Sequence, residues 1–249
     1  MHTKFDQMEI AISALRQAQT HIEKNIENHD IEWVGREPKI ALDAELDALI
    51  RRVLAVTQLP VLSEEQDVWP EWYGQDPIWI VDPLDGSFNF VRGTGPCAVS
   101  IALWHGTSAV LGAILDIRSG EIAWGASDGP AMQSARIISC SNTTERSAAV
   151  ICTGIPSGFD FSDPDQVSSL TGIMASYGKV RMIGSAASSL VMVASGQADA
   201  YSEQNIKIWD VAAGMALVRA AGGRVRMEVP NASQISVNVD ADNGQLPLL

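Results

Sequence analysis

The sequence predicts an α+β protein in which helices and strands cluster in the first half and alternate in the second. Three observations carry this expectation. Apolar residues recur at helical spacing near the start, short apolar runs of strand length follow, and a strand–helix alternation occupies the last hundred or so positions. With 249 residues the chain suits one large domain or two small, closely packed ones. Hydrophobic residues make up 46% of it, enough for a packed core.

Phe5, Met8, Ile12, Leu15, Ile22 and Ile26 fall near one face of a first helix. Asp43 reads as the N-cap of a second helix. Behind it Leu46, Leu49, Ile50, Val53 and Leu54 fit the amphipathic template. Strands are expected over 78–81, 98–103, 110–115 and 121–124, with Gly106, Gly112 and Gly120 between or within them. A polar stretch over 127–147 marks a transition. After it come a strand over 148–153, a helix over 165–176, a strand over 179–183 and a helix over 186–194 closed by Gly196. A strand over 198–202, a helix over 211–221 ended by Gly222-Gly223, and strands over 224–229 and 235–239 complete the set. The chain thus divides into an α+β half, 1–135, and an α/β half, 136–249, packed tightly as one unit.

Charge narrows the function. The chain has 17 Lys+Arg against 30 Asp+Glu, a formal charge of −13, so most of the surface repels nucleic acid. Cys97, Cys140 and Cys152 have no paired spacing, which argues against a disulfide framework or zinc site and suits a reducing compartment. No apolar run is long enough to span a membrane, and the first residues lack a signal-peptide pattern, so a cytoplasmic protein without membrane contact is expected. The four histidines are scattered, and no P-loop, G-x-S-x-G or G-x-G-x-x-G is present.

Three segments carry chemistry. In Asp82-Pro83-Leu84-Asp85-Gly86-Ser87 an apolar strand runs into an acid, Pro83 holds Asp82 extended, and the chain then turns. Asp85 can face the same spot as Asp82, Gly86 permits close backbone approach, and Ser87 reads as an N-cap. Two carboxylates beside two free amides make a place for a hard cation and a phosphate together, although a plain strand-end turn with solvated acids has the same pattern. Ser63-Glu64-Glu65, alone, reads as an exposed acidic loop. Asp210, in Ile206-Lys207-Ile208-Trp209-Asp210-Val211-Ala212-Ala213-Gly214, reads alone as a helix cap. Gly214 inside that helix points to close packing.

Taken in order, an acidic pair, D-P-[LI]-D-G-[ST]-x-N-[FY], and W-D-x-A-A-G followed by Gly-Gly resemble the inositol monophosphatase-like family of magnesium-dependent, lithium-sensitive phosphatases. Gly184-Ser185-Ala186-Ala187, Ala198-Asp199-Ala200-Tyr201 with Glu203, and Thr153-Gly154-Ile155-Pro156 are also similar to family segments. The resemblance spans roughly 43–228. It implies a layered α/β/α/β/α sandwich of the sugar-phosphatase type, often a homodimer, binding two or three Mg2+ ions. It also implies that Glu64, Asp82 and the Leu84 carbonyl hold one ion, and that Asp82, Asp85 and Asp210 hold a second. By the same resemblance the Gly86 and Ser87 amides hold phosphate, while Ser87, Asp43 and Glu64 orient and deprotonate the attacking water. Asp85, Ala186 and Glu203 face the substrate.

The chain departs from the family pattern at Ala41 where Thr is usual, at Ser63 for Gly, at Ser87 for Thr, at Phe88, and at Arg92 for His. Asn89-Phe90 is similar to the inositol- and sugar-phosphate members, so the expected substrate is a small phosphorylated polyol or sugar. The alternatives are hydrolysis of 3′-phosphoadenosine 5′-phosphate, fructose 1,6-bisphosphate or histidinol phosphate, or a non-catalytic scaffold retaining the fold.

Overall fold

The computed structural model describes residues 3–25, 31–34, 37–155, 159–231 and 235–247. Ile26 and Pro156 lie outside them. The chain begins with α1 (Lys4–Asn25), then a hairpin of β1 (Ile31–Val34) and β2 (Glu37–Ile40), then α2 (Ala41–Leu54). Strand β3 (Val61–Ser63) leads to the long β4 (Gln75–Asp85) and the short helix α3 (Ser87–Arg92). Five strands follow: β5 (Ala98–Gly106), β6 (Ser108–Asp116), β7 (Ile122–Ala126), β8 (Ala131–Gln133) and β9 (Arg136–Ile138). The remainder is β10 (Val150–Thr153), α4 (Pro164–Ser176), β11 (Lys179–Arg181), α5 (Ala186–Ala194), β12 (Ala200–Lys207), α6 (Ile208–Ala220), β13 (Arg224–Glu228) and β14 (Ser236–Asp242).

Two sheets form the body. The larger runs β3-β4-β5-β6-β7-β8-β9, antiparallel except for the parallel β3–β4 pair. The smaller runs β11-β10-β12-β14-β13, with β10 parallel to both its neighbours. The alternation of a strand explains how the larger sheet is covered on both faces. On β4, Trp79 and Val81 point to α1 and α2, joining Leu15, Leu46 and Ile50 in one core. Ile78 and Ile80 point the other way, into a second core with α5 and α6. The same helices touch the inner face of the smaller sheet through Tyr201, Val237 and Val239. Its outer face packs Ile151 and Ala200 against Ile173 of α4. The result is the expected α/β/α/β/α layering.

The first helix keeps its predicted face, with Met8, Ile12, Leu15 and Ile22 buried. Phe5 is the exception at 73% exposed. Its angle is that of the buried row, so its exposure marks where the core ends along the helix. Two predicted caps are displaced. Helix α2 starts at Ala41, so Asp43 sits inside the first turn and accepts the Ile40 N–H at 3.4 Å. Helix α3 is capped by Gly86, not by Ser87. Gly86 has φ +85°, and a Cβ there would lie 3.0 Å from the Gly184 carbonyl oxygen. The transition stretch over 127–147 contains β8 and β9, and β12 extends five residues past its predicted end.

Gly214 has the packing role its position suggests. A Cβ there would meet the Leu190 Cβ at 2.4 Å, so α5 and α6 approach more closely than any other residue allows. Gly214→Ala should therefore destabilise the protein by about 1–3 kcal/mol through overpacking, against the roughly 1 kcal/mol that alanine gains in a free helix. Urea denaturation followed by circular dichroism measures this, and a stabilised variant would show that the helices can move apart.

Candidate active site

Four elements deliver acids to one cleft. Strand β4 ends in Asp82 and Asp85, and its pairing with β5 shifts register between these two residues. The shift lets two positions three apart face the same side, which a regular strand would forbid. Strand β3 runs parallel to β4 and releases the chain at Ser63, so Glu64 emerges beside Asp82. Helix α6 presents Asp210 in its first turn. Helix α2 presents Asp43. The cleft holds about 400 Å3 and is lined by these acids together with Glu65, Gly86, Ser87, Phe88, Lys207 and Trp209.

Carboxylate oxygens of Glu64, Asp82 and Asp210 all lie within 4.8 Å of one another. Asp82 is the most enclosed, 1% exposed. Its Oδ1 accepts the Leu84 N–H at 2.9 Å, while its Oδ2 is buried and receives no hydrogen bond. A buried anionic oxygen without a donor costs several kcal/mol unless a cation meets it. An all-oxygen set with no histidine or cysteine suits a hard divalent cation. The residues present therefore fit a metal.

Asp85 is held differently. Its Oδ2 accepts from the Ser185 Oγ at 2.6 Å and from the Ala187 N–H at 2.7 Å, at the start of α5. It lines the same cleft as the three converging acids without being one of them. Ser87 donates its hydroxyl hydrogen to the Leu84 carbonyl at 2.9 Å, so it offers only lone pairs to the cleft. Ala186 is buried beside Asp85 in the first turn of α5. Glu203 lies one wall away, in a neighbouring cavity, and accepts the Tyr201 hydroxyl at 2.9 Å.

Several contributors were not expected from sequence. Asn89 Nδ2 donates to the carbonyls of Pro96 at 2.9 Å and Ile183 at 2.7 Å, tying α3 to the segment that carries Ser185. Ser185 caps α5 by accepting the Ser188 N–H, a signal that a serine before an apolar helix does announce. The β1–β2 hairpin places Pro38 in the cleft wall and Trp33 edge-on to Phe88, with centroids 6.0 Å apart. Trp69 leans on Trp209 at 5.6 Å. Nothing in the local sequence announces these aromatic contacts, which are long-range.

Crowding raises the pKa values. Burial first, then repulsion from Glu64, Asp85 and Asp210, pushes Asp82 well above the usual carboxylate range. Asp210 is pushed up by burial and then by Asp85 and Glu64. Although Glu64 as a residue is exposed, its carboxylate turns into the cluster, and desolvation followed by Glu65, Asp43 and Asp85 brings it to about 7. Burial lifts Asp85 to about 6 against the lowering effect of its Ser185 and Ala187 bonds.

These directions fix a sign. A carboxyl whose folded pKa lies above its unfolded value holds a proton in the native state that the unfolded chain has lost. Its contribution is complete below the unfolded pKa of about 4 and is lost as pH rises through the folded value, near 7 for Glu64. The metal-free protein should lose stability between those limits, as read by thermal unfolding. Divalent cation binding should release protons, so its calorimetric heat at pH 6 should change with the ionisation enthalpy of the buffer. A buffer-independent heat would mean that the acids are already ionised.

A model of the inositol monophosphatase family matches residues 4–230. Among curated proteins, the inositol-1-monophosphatase of Mycobacterium bovis is 33% identical over 207 residues, covering 79% of this chain and 70% of that protein. A Nus factor SuhB of Xylella fastidiosa is 30% identical over 223 residues, covering 87% and 80%. Among solved structures, inositol monophosphatase from Anabaena superposes with a TM-score of 0.81 at 27% identity, covering 98% of this chain and 93% of that one. The acids in the cleft and the layers that carry them thus occur within a matched frame that includes most of the molecule, and the chain belongs to the inositol monophosphatase family.

Proposed function

We propose that the protein is a Mg2+-dependent phosphomonoesterase acting on a small phosphorylated polyol or sugar. The observation that carries this reading is the convergence of Glu64, Asp82 and Asp210 around a buried oxygen that no hydrogen bond satisfies. In this reading the Leu84 carbonyl and Asp85 complete the ligand sets. Bound there, divalent ions supply the charge that draws a phosphate dianion into an acidic cleft, acidify water and stabilise the departing alkoxide.

The chain's own residues then divide the remaining work. The Gly86 and Ser87 N–H groups begin α3, where helix amides have no intrahelical acceptor, and they hold the phosphate oxygens. The Ser87 hydroxyl is already a donor to the Leu84 carbonyl, so it accepts a hydrogen bond from the attacking water and thereby aims one lone pair at phosphorus. Asp43 and Glu64 take the proton. As the water oxygen bonds to phosphorus, the opposite P–O bond breaks with its electron pair going to the leaving oxygen, and the alkoxide leaves towards Asp85, Ala186 and Glu203 and takes a proton from solvent water to become the alcohol, while the proton held by Asp43 and Glu64 returns to solvent. Three free cysteines suit a reducing cytoplasm. A scaffold without catalysis would gain nothing from crowding these acids together.

Hydrolysis of inositol 1-phosphate should cease in excess EDTA and return with Mg2+. Asp82→Asn or Asp210→Asn should lower kcat by roughly 10³-fold, measured by phosphate release. Turnover that persists in EDTA would overturn the reading.

Ser87 separates positioning from phosphate binding. Ser87→Ala keeps the backbone amide and removes the hydroxyl, so kcat should fall about 10²–10⁴-fold with KM little changed. Ser87→Thr retains the hydroxyl and should retain most of the rate. Equal loss in both variants would place the effect in packing.

A further inference from the structure

A cavity of about 440 Å3 opens between α5 and the outer part of the larger sheet, apart from the acid cleft. Ile114 and Ala123 pair across β6 and β7 and form its floor. Alternation along β6 puts Asp116 on the face of Ile114, and the pairing of β8 with β7 sets Gln133 beside Ala123. Val191 and Met192 of α5 form the facing wall, one helical turn on from Ser188. Arg118 and Glu121 stand at the turn between β6 and β7. Asp116 Oδ1 accepts the Ser119 N–H at 2.7 Å, and Glu121 Oε2 accepts from Gln133 Nε2 at 2.8 Å. Among the described residues Arg118 forms no hydrogen bond or ion pair. The cavity therefore offers an unmatched guanidinium, two carboxylates and a hydrocarbon floor.

Two hydroxyls join this cavity to the acid cleft. Ser188 lines the cavity, and its Oγ lies 2.8 Å from the Ser185 Oγ. The Ser185 Oγ in turn lies 2.6 Å from Oδ2 of Asp85, which lines the cleft. A hydroxyl has one hydrogen to give. The carboxylate takes that of Ser185, since this bond is the shorter and is charge-assisted. The Ser188 hydroxyl must then donate to Ser185, and it keeps its lone pairs for the cavity. The Ser188 N–H also donates to the Ser185 Oγ, at 3.1 Å. All three residues are buried, so water competes little with the chain of bonds.

We propose that this cavity binds a small zwitterion with a hydrocarbon arm, an aliphatic α-amino acid, and that its occupation weakens cation binding in the acid cleft. The regulatory half rests on the phosphomonoesterase reading above, in which Asp85 helps to hold a cation. The lining selects the ligand. A carboxylate answers Arg118, an ammonium answers Glu121, Asp116 and the Ser188 oxygen, and a branched arm covers Ile114, Ala123, Val191 and Met192. An inorganic anion would face two carboxylates, and a polyol would set hydroxyls against hydrocarbon and forgo their hydrogen bonds to water. The sign of the effect follows from the direction of the bonds. An ammonium donating to Ser188 makes that hydroxyl a stronger donor to Ser185, and Ser185 a stronger donor to Asp85. The negative charge of Asp85 is drawn to the oxygen that Ser185 holds, and less of it is offered to a cation.

The test is calorimetric, at neutral pH, with the full-length metal-free protein and three probes: L-leucine, 4-methylpentanoate, which lacks the ammonium, and 3-methylbutylamine, which lacks the carboxylate. Leucine should bind about ten-fold or more tightly than either analogue, as a charge-assisted hydrogen bond gives. Arg118→Gln should bring leucine to the level of the amine. Saturating leucine should raise the Mg2+ dissociation constant about five-fold or more, and Mg2+ should weaken leucine by the same factor, because coupling between sites is reciprocal. Ser188→Ala breaks the chain of bonds and keeps Arg118, so leucine should still bind it while the coupling to Mg2+ is lost. In hydrolysis of inositol 1-phosphate, leucine should raise the Mg2+ concentration that gives half the maximal rate in the wild type and not in Ser188→Ala. No binding of leucine, equal binding of the three probes, a Mg2+ affinity indifferent to leucine, or a coupling that persists in Ser188→Ala overturns the proposal. If no phosphomonoester is hydrolysed while leucine and Mg2+ still oppose one another in the calorimeter, the phosphomonoesterase reading fails and the second site stands.

Discussion

Carboxylates repel one another, and the interior gives them little water with which to screen that repulsion. Asp82 is the focus of the problem, with one oxygen satisfied by the turn that follows it and the other facing only acids. Much of the architecture serves to keep it there. Glu64 arrives from a strand parallel to β4, and Asp210 from a helix that begins where β12, the central strand of the smaller sheet, ends. Their mutual distances are set by elements remote in sequence, so the cluster cannot relax by moving one loop. Helix α6 is buried along ten of its thirteen residues between the two sheets, which is why it can hold Asp210 against the repulsion.

A second constraint lies around Asp85. Both its neighbours on α5, the Ser185 hydroxyl and the Ala187 amide, bind the same oxygen. The segment leading into α5 is fastened to α3 by the side-chain amide of Asn89. Gly86 brings the turn within 3.0–3.1 Å of the Gly184 and Pro96 carbonyls, measured from where a Cβ would stand. These contacts couple the acid turn of the larger sheet to the helix layer between the sheets. One oxygen of Asp85 is thereby committed to structure.

Most elements were legible because they rest on local pattern, whereas the order of the layers was implied by the motif resemblance. The continuous apolar run on β4 and helical spacing on α1 and α2 report burial directly, and α5 begins and ends where its apolar run does. The steric need for Gly214 was also visible, since glycine inside a helix has a cost that packing must offset. Local pattern failed at the caps. Asp43 resembles an N-cap by type, yet the helix starts two residues earlier, because the β2 strand feeds directly into it and Ile40 already has extended backbone. The hairpin β1–β2 was missed for a related reason. Four-residue strands carry too little alternation to stand out, and the Trp33–Phe88 contact that seats the hairpin joins residues fifty-five positions apart. The acids of the site could be named from motif resemblance, but their unequal situations could not. Only the fold separates Asp82, one of whose oxygens is buried without a donor, from Asp85, one of whose oxygens accepts from two.

That inequality bears on how a substrate is read. The acids that converge, Glu64, Asp82 and Asp210, are those whose charge a bound cation would cancel. Glu203 stands outside the convergence, on a strand whose register with β14 shifts between Glu203 and Ile206. Its carboxylate lines the cavity under α4. Charge that a bound cation would neutralise and charge that it would leave are thus carried by different elements, β3, β4 and α6 on one side and β12 on the other.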